Sequence, residues 1–168
     1  MKIGRITVSD RASAGVYADR SGPEIERLLR AQFGADAQFV AAIIPDEVEQ
    51  ISDTLRAFAD RERCDLIVTT GGTGIGPRDV TPDATRAVIE KELPGFGELM
   101  RMQSFARVRT AILSRAVAGT RGQALIVNLP GKPTAVAECL EVLAAAIREG
   151  VAHLRGEDPH ATPPPKRR

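Results

Sequence analysis

Leu66-Ile67-Val68-Thr69-Thr70 runs directly into Gly71-Gly72-Thr73-Gly74-Ile75-Gly76-Pro77-Arg78-Asp79, and Thr81-Pro82-Asp83 follows soon after. The first five residues are mostly β-branched and carry no charge, the signature of a strand buried on both faces. The glycine-rich stretch reads as a loop leaving that strand. Thr81-Pro82-Asp83 then restarts a helix, with threonine as the cap, proline at the first position and a carboxylate near the positive end of the dipole. A buried strand, a tight loop and a helix in this order are one step of an α/β sandwich around a mostly parallel sheet.

The same alternation continues on both sides. Upstream, Ile3 to Val8 reads as a first strand and Phe39 to Ile44 as a second. Between them Ser21, Pro23 and Glu24 suggest a capping box, and Ile25, Leu28, Leu29 and Phe33 share one helical face. Val48, Ile51, Leu55 and Phe58 give the next helix. Downstream, Pro94-Gly95 precedes a helix carrying Leu99, Met102 and Phe105. Ala111 to Leu113 and Leu125 to Val127 read as strands, with Ser114 to Gly122 as a turn or short edge strand between them. Val136, Leu140, Leu143, Ile147, Val151 and Leu154 stripe the last helix. Residues 1–155 thus form one domain, and 156–168, with Pro163-Pro164-Pro165 and Lys166-Arg167-Arg168, read as a disordered tail.

Composition narrows the function. The 168 residues suit one domain with a substantial core. Lys and Arg number 23 against 22 Asp and Glu, a net charge of +1, which argues against a basic nucleic-acid clamp. Aromatics are 4% and tryptophan is absent, so a base-stacking platform is also disfavoured. Cys64 and Cys139 have no CxxC partners, which excludes a disulfide scaffold and a zinc knuckle. The two histidines, His153 and His160, lie near the C-terminus, outside any triad-like pattern. No apolar run approaches about 20 residues, and no signal peptide opens the chain, so a cytoplasmic protein with no membrane contact is expected.

In open α/β sheets, ligands bind beyond the carboxyl ends of the strands. There the sequence places Ser9, Asp10, Arg11 and Ser13 after the first strand, and Pro45-Asp46 after the second. The glycine loop with Arg78 and Asp79 follows the third, and Asn128 to Lys132 the last. Glycines let main-chain N–H groups approach an anion, and a following helix start adds its dipole. The loop is no standard nucleotide motif: Gly72, Gly74 and Gly76 are spaced GxGxG rather than GxGxxG, and no GxxxxGK[ST] is present. A turn that needs positive φ would explain it as well. Asp79 suits either a carboxylate holding Mg²⁺ over phosphate or a loop hydrogen bond. Asp46 suits either chemistry or capping, since Asp46-Glu47-Val48-Glu49 has the form of a helix start. Thr73 could simply satisfy a turn, and Lys132 could be solvated. Met100 and Met102 read as core filler.

Taken together, these pieces resemble the MogA/MoaB family of molybdenum-cofactor proteins. The match rests on Thr69 to Gly74 with Arg78 to Ala84, on Ser9 to Tyr17, and on Pro45-Asp46-Glu47. It extends to Pro94-Gly95-Phe96-Gly97-Glu98, Ile112-Leu113-Ser114-Arg115 and Asn128 to Pro133, in order across residues 3 to about 154. The resemblance is nearer to the MogA branch. It implies a single three-layer α/β/α domain, commonly a homotrimer. It implies transfer of AMP from Mg-ATP to the terminal phosphate of molybdopterin with release of pyrophosphate, before a separate protein inserts molybdate. Asp79 and Asp46 match the family's functional carboxylates, and are the candidate Mg²⁺ ligands. Gly71, Gly72, Thr73 and Gly74 match its phosphate loop; Ser9, Asp10, Ser13 and Asp19 match the first loop; Pro130, Gly131 and Lys132 match the last. Because the chain lacks a segment near the final helix that some MogA sequences carry, a non-catalytic, MoaB-like molybdopterin carrier is the alternative.

Overall fold

A computed structural model describes residues 1–157. Six strands form one sheet in the order β2-β1-β3-β6-β5-β4. Strands β1 (Lys2–Val8), β2 (Gln38–Ile44), β3 (Leu66–Thr70) and β6 (Ala124–Leu129) pair in parallel. Strands β5 (Ala118–Arg121) and β4 (Lys91–Glu92) add an antiparallel edge, and a one-turn helix, α1 (Asp10–Ser13), follows β1.

Alternation along the central strands divides the core into two layers. Leu66, Val68, Leu125, Val127 and Leu129 face one side, where Ile25 and Leu29 of α2 (Ser21–Phe33), Met100 of α5 (Pro94–Phe105) and the stripe of α6 (Pro133–Leu154) pack on them. Ile67 and Ile126 face the other, against Ile51 and Leu55 of α3 (Val48–Arg56) and Ala84 of α4 (Thr81–Arg86). Every residue of β3 and β6 is buried, as an uncharged run flanked by helices requires. Asn128 is wholly buried among them. Its amide donates to the Thr69 and Thr85 hydroxyls at 3.0 and 2.9 Å, and its carbonyl accepts the Val117 N–H. One side chain thereby ties β3, α4 and the approach to β5.

Several local expectations are corrected. Ala111 to Leu113 is not a strand but part of a 3₁₀ turn, Arg109–Leu113; Ile112 is 61% exposed and has no strand to pair with. Met102 is not core filler, being 73% exposed, whereas Met100 is buried. Ser21 does not form a capping box: the Asp19 carboxylate takes the Ser21 and Gly22 N–H groups instead, both at 3.0 Å. Ser21 Oγ donates to the Gly131 carbonyl, and Glu24 pairs with Arg27. Thr81 is the first residue of α4 rather than its cap, and its hydroxyl donates to the Gly71 carbonyl. α6 ends at Leu154, and Arg155 forms an ion pair with Asp65 at 2.7 Å. The proline-rich end and His160 lie outside the described residues.

Candidate active site

Between β1 and β3 the strand order reverses, because the chain runs outward to β2 and then crosses to the far side of β1. Loops leaving neighbouring strands diverge there, and a cleft opens at their carboxyl ends. It holds about 560 Å³ and is lined by the ends of β1 and β3, by Ser9, Tyr17, Asp19 and Ser21, by Asp46, Gly71, Gly72, Arg78 and Asp79, and by Gly131.

The glycine loop takes its shape from close packing. Gly71 and Gly72 have φ of 98° and 62°, the left-handed region that favours glycine. A Cβ on Gly71 would strike the Val8 carbonyl oxygen, and one on Gly72 would strike Thr81 Oγ1 and lie 2.8 Å from Asp46 Oδ1. Gly72, Thr73 and Gly74 have main-chain N–H groups with no acceptor among the described residues. Consecutive unpaired donors in a left-handed bend form a concavity suited to an anion.

Two carboxylates stand beside this loop. Asp79 Oδ2 accepts the Gly76 N–H at 2.8 Å, and the Asp79 N–H donates back to the Gly76 carbonyl. Asp46 does not cap α3, whose cap position is Glu47 without a side-chain bond. Its Oδ2 accepts the Asp10 N–H at 2.9 Å, while its own N–H donates to Asp10 Oδ1 at 3.0 Å. This reciprocal pair locks the loops after β1 and β2 together. Each of the two carboxylates keeps one oxygen, Asp46 Oδ1 and Asp79 Oδ1, without a protein donor among the described residues. Among those residues no three acidic, histidine or cysteine side chains are grouped as a metal site.

Charge is distributed unevenly here. Arg78 grips Asp10 with Nε and Nη2 at 3.0 and 2.9 Å, and Nη2 also reaches Glu47 at 2.7 Å. That contact holds the Asp10 carboxyl below its ordinary range. Burial pushes Asp46 up, with the charges of Asp10 and Asp79 adding to it. Burial also pushes both cysteine thiols up to about 11, so neither is a nucleophile.

A second cavity of about 440 Å³ adjoins the first across Gly131. Met100, Val108, Ala116, Pro130 and Cys139 give it apolar walls, and Arg101 and Lys132 supply cations.

The sequence model of the "Probable molybdopterin binding domain" matches residues 4–149. The chain belongs to this molybdopterin-binding domain family. It is 52% identical over 145 residues to the molybdopterin adenylyltransferase of Helicobacter pylori strain J99, covering 86% of this chain and 82% of that one. It is 48% identical over 153 residues to the molybdopterin adenylyltransferase of Escherichia coli K12, covering 91% and 78%. Among solved structures, the molybdopterin biosynthesis enzyme MoaB of Thermus thermophilus superposes with a TM-score of 0.84 at 41% identity, covering 93% of this chain and 97% of that one. The Mog protein of Mycobacterium ulcerans also gives 0.84, at 36% identity, covering 91% and 98%.

Within this family fold, the residues singled out from the sequence separate into three groups. Ser9, Asp19, Asp46, Gly71, Gly72, Asp79 and Gly131 line the first cleft. Asp10 lies behind it, holding Asp46 and Arg78; Thr73 is buried, with its carbonyl on the Arg115 N–H; Gly74 packs against the Asp79 carboxylate. Pro130 and Lys132 belong to the second cavity, and Ser13 turns its hydroxyl back to the Asp10 carbonyl, away from both. Tyr17 and Arg78 were not assigned a role from the sequence, yet both line the cleft. Tyr17 OH bonds Ser9 Oγ at 2.9 Å, and Arg11 lies 5.2 Å from its ring centre. A basic residue directly before Asp79 in a loop at a strand end was the available signal for Arg78.

Proposed function

We propose that this protein is a molybdopterin adenylyltransferase, moving AMP from ATP to the terminal phosphate of molybdopterin and releasing pyrophosphate. The observation that carries the reading is the cleft itself: three unpaired loop N–H groups and two partly free carboxylates at a sheet switch point. Identity near 50% to proteins named for this activity supports it. An oxygen of the pterin phosphate attacks the α-phosphorus, the bond to the bridging oxygen breaks, and pyrophosphate leaves. No protein nucleophile is needed, which suits buried cysteines and a histidine, His153, on α6 outside the cleft.

Gly72, Thr73 and Gly74 would cradle phosphate oxygens and offset their mutual repulsion. Asp46 and Asp79 would hold Mg²⁺, an ion that takes one or two carboxylates plus phosphate oxygens. When bound, Mg²⁺ supplies positive charge against the developing phosphate charge. We assign the nucleotide to the polar cleft and the flat pterin to the apolar cavity, with Gly131 where they meet. The family resemblance implies a homotrimer, and exposed Met102 and Ile112 offer apolar surface to such an assembly. Both cysteines are free thiols, which suits a reducing compartment such as the cytoplasm, with a molybdate-inserting protein as the downstream partner.

The direct test mixes protein, Mg-ATP and molybdopterin and follows pyrophosphate and adenylylated pterin. Both should form together. Pterin binding without pyrophosphate would return the protein to the carrier reading.

A further inference from the structure

We propose that Arg115 is a positioning residue for AMP transfer: from outside the cleft it fixes the glycine loop, and through it the Asp79 carboxylate. The inference rests on the adenylyl-transfer reading. Arg115 precedes β5, 36 positions after Asp79, and is not among the cleft's lining residues. All three guanidinium nitrogens are nevertheless directed at the loop and the helix that follows it. Nε donates to the Gly74 carbonyl at 2.9 Å, and Nη2 donates to the Asp79 carbonyl. Nη1 and Nη2 hold the two oxygens of Asp83, in the first turn of α4, at 3.0 and 2.8 Å. The Arg115 main-chain N–H adds a bond to the Thr73 carbonyl at 2.8 Å.

The loop needs such an external hold. It carries glycines at 71, 72, 74 and 76, the residue with the most backbone freedom to lose. Asp79 and Gly76 close an inner turn by exchanging two bonds, but that turn does not fix where it points. Arg115 grips the chain on both sides of it, at Gly74 and at Asp79, and refers both points to the rigid start of α4. The contact with Arg115 keeps the Asp83 carboxyl below its ordinary range, so the pair stays charged at neutral pH. The planar fork matches this set of acceptors, whereas a lysine ammonium reaches only part of it.

The test compares wild type with Arg115→Ala, Arg115→Lys and Asp83→Ala, reading kcat, the two KM values, Tm, and amide exchange across residues 72–79. In Arg115→Ala and Arg115→Lys, kcat should fall about 30-fold, the scale set by loss of precise placement, while both KM values stay within about threefold. Exchange across 72–79 should rise in all three variants. Guanidinium ion at non-denaturing concentration should restore Arg115→Ala activity, whereas equal urea should not. The Arg115→Ala/Asp83→Ala double variant should lose no more than Arg115→Ala alone, because both act through one contact. The inference is overturned by a folded Arg115→Ala or Arg115→Lys with kcat within threefold of wild type, by additive losses, or by unchanged loop exchange. If Arg115→Ala does not fold, Arg115→Lys and Asp83→Ala decide on the same criteria. Absence of AMP transfer in wild type overturns the adenylyl-transfer reading instead, and the exchange measurement still decides whether Arg115 orders the loop.

Discussion

Asp79 makes one loop bond and has one proposed catalytic role, and a pair of substitutions can separate them. Its Oδ2 holds the Gly76 N–H at 2.8 Å, and its Oδ1 has no protein donor among the described residues. Asp79→Ala removes both the bond and the charge. Asp79→Asn keeps a carbonyl oxygen for Gly76 and removes only the charge. Gly76 is exposed, so water can replace the lost acceptor, and the stability cost in the alanine variant should be about 0.5–1 kcal/mol. In a domain of this size that is a Tm drop of roughly 1–4 °C. The asparagine variant should show almost none of it. Losing the charge that would hold Mg²⁺ against the phosphates removes a transition-state electrostatic contribution of about 3 kcal/mol, so both variants should lose at least ~10²-fold in pyrophosphate release. Molybdopterin binding, measured by titration calorimetry, should be retained in both. An asparagine variant with near wild-type turnover beside an inactive alanine variant would refute the argument, because Asp79 would then act only by holding the loop. Full activity in both would remove it from the catalytic machinery.

Three further outcomes follow from the same geometry. Asp46→Asn keeps an acceptor for the Asp10 N–H but removes a carboxylate whose proton affinity burial raises. A raised folded-state pKa favours the protonated form, so that contribution is present below the unfolded pKa and lost as pH rises through the folded one. The variant should therefore melt higher than wild type at pH 7, lose that advantage below about pH 4, and turn over far more slowly; an unchanged melting curve across pH would contradict this. Asn128→Ala empties a wholly buried site and strands the Val117 N–H, and should cost about 3 kcal/mol by denaturant titration, with a drop under about 1 kcal/mol showing that the network is incidental. Gly72→Ala forces a left-handed residue and a Cβ 2.8 Å from Asp46 Oδ1, so Tm and kcat should fall together; an unaltered kcat would separate Asp46 from the chemistry.

The parallel core was legible because Leu66 to Thr70 and Leu125 to Leu129 contain no charge and alternate cleanly between two helix layers. Helix starts were less legible. Ser21, Asp46 and Thr81 each had the local form of a cap, but each side chain instead bonds a partner from another part of the chain: Gly131, Asp10 and Gly71. Local chemistry suggests a cap whenever the right residue stands before a helix; tertiary neighbours then offer a better acceptor or donor. Ala111 to Leu113 failed for the opposite reason, being an apolar run with no neighbouring strand. Asp46 and Asp79 were marked by their positions at strand ends, with their roles implied by the family resemblance, and both line the same cleft. Arg115 stood in a quoted motif, but its contacts stayed hidden because its partners lie 32 to 42 positions earlier, a separation that only the fold closes.

Tyr17 is the chain's only tyrosine, and there is no tryptophan. Its ring lines the cleft, tethered to Ser9 and flanked by Arg11. Excited above the phenylalanine absorption band, the protein therefore emits from one known position, on the wall of the cleft proposed to take nucleotide. Nucleotide can be titrated without a label, and an emission change reports on that wall rather than on a distant fluorophore. A pterin, if it enters the adjoining cavity as proposed, is placed to accept excitation from the same ring. Titrating each ligand alone and then in the presence of the other shows whether filling one cavity alters the response of the ring to the second.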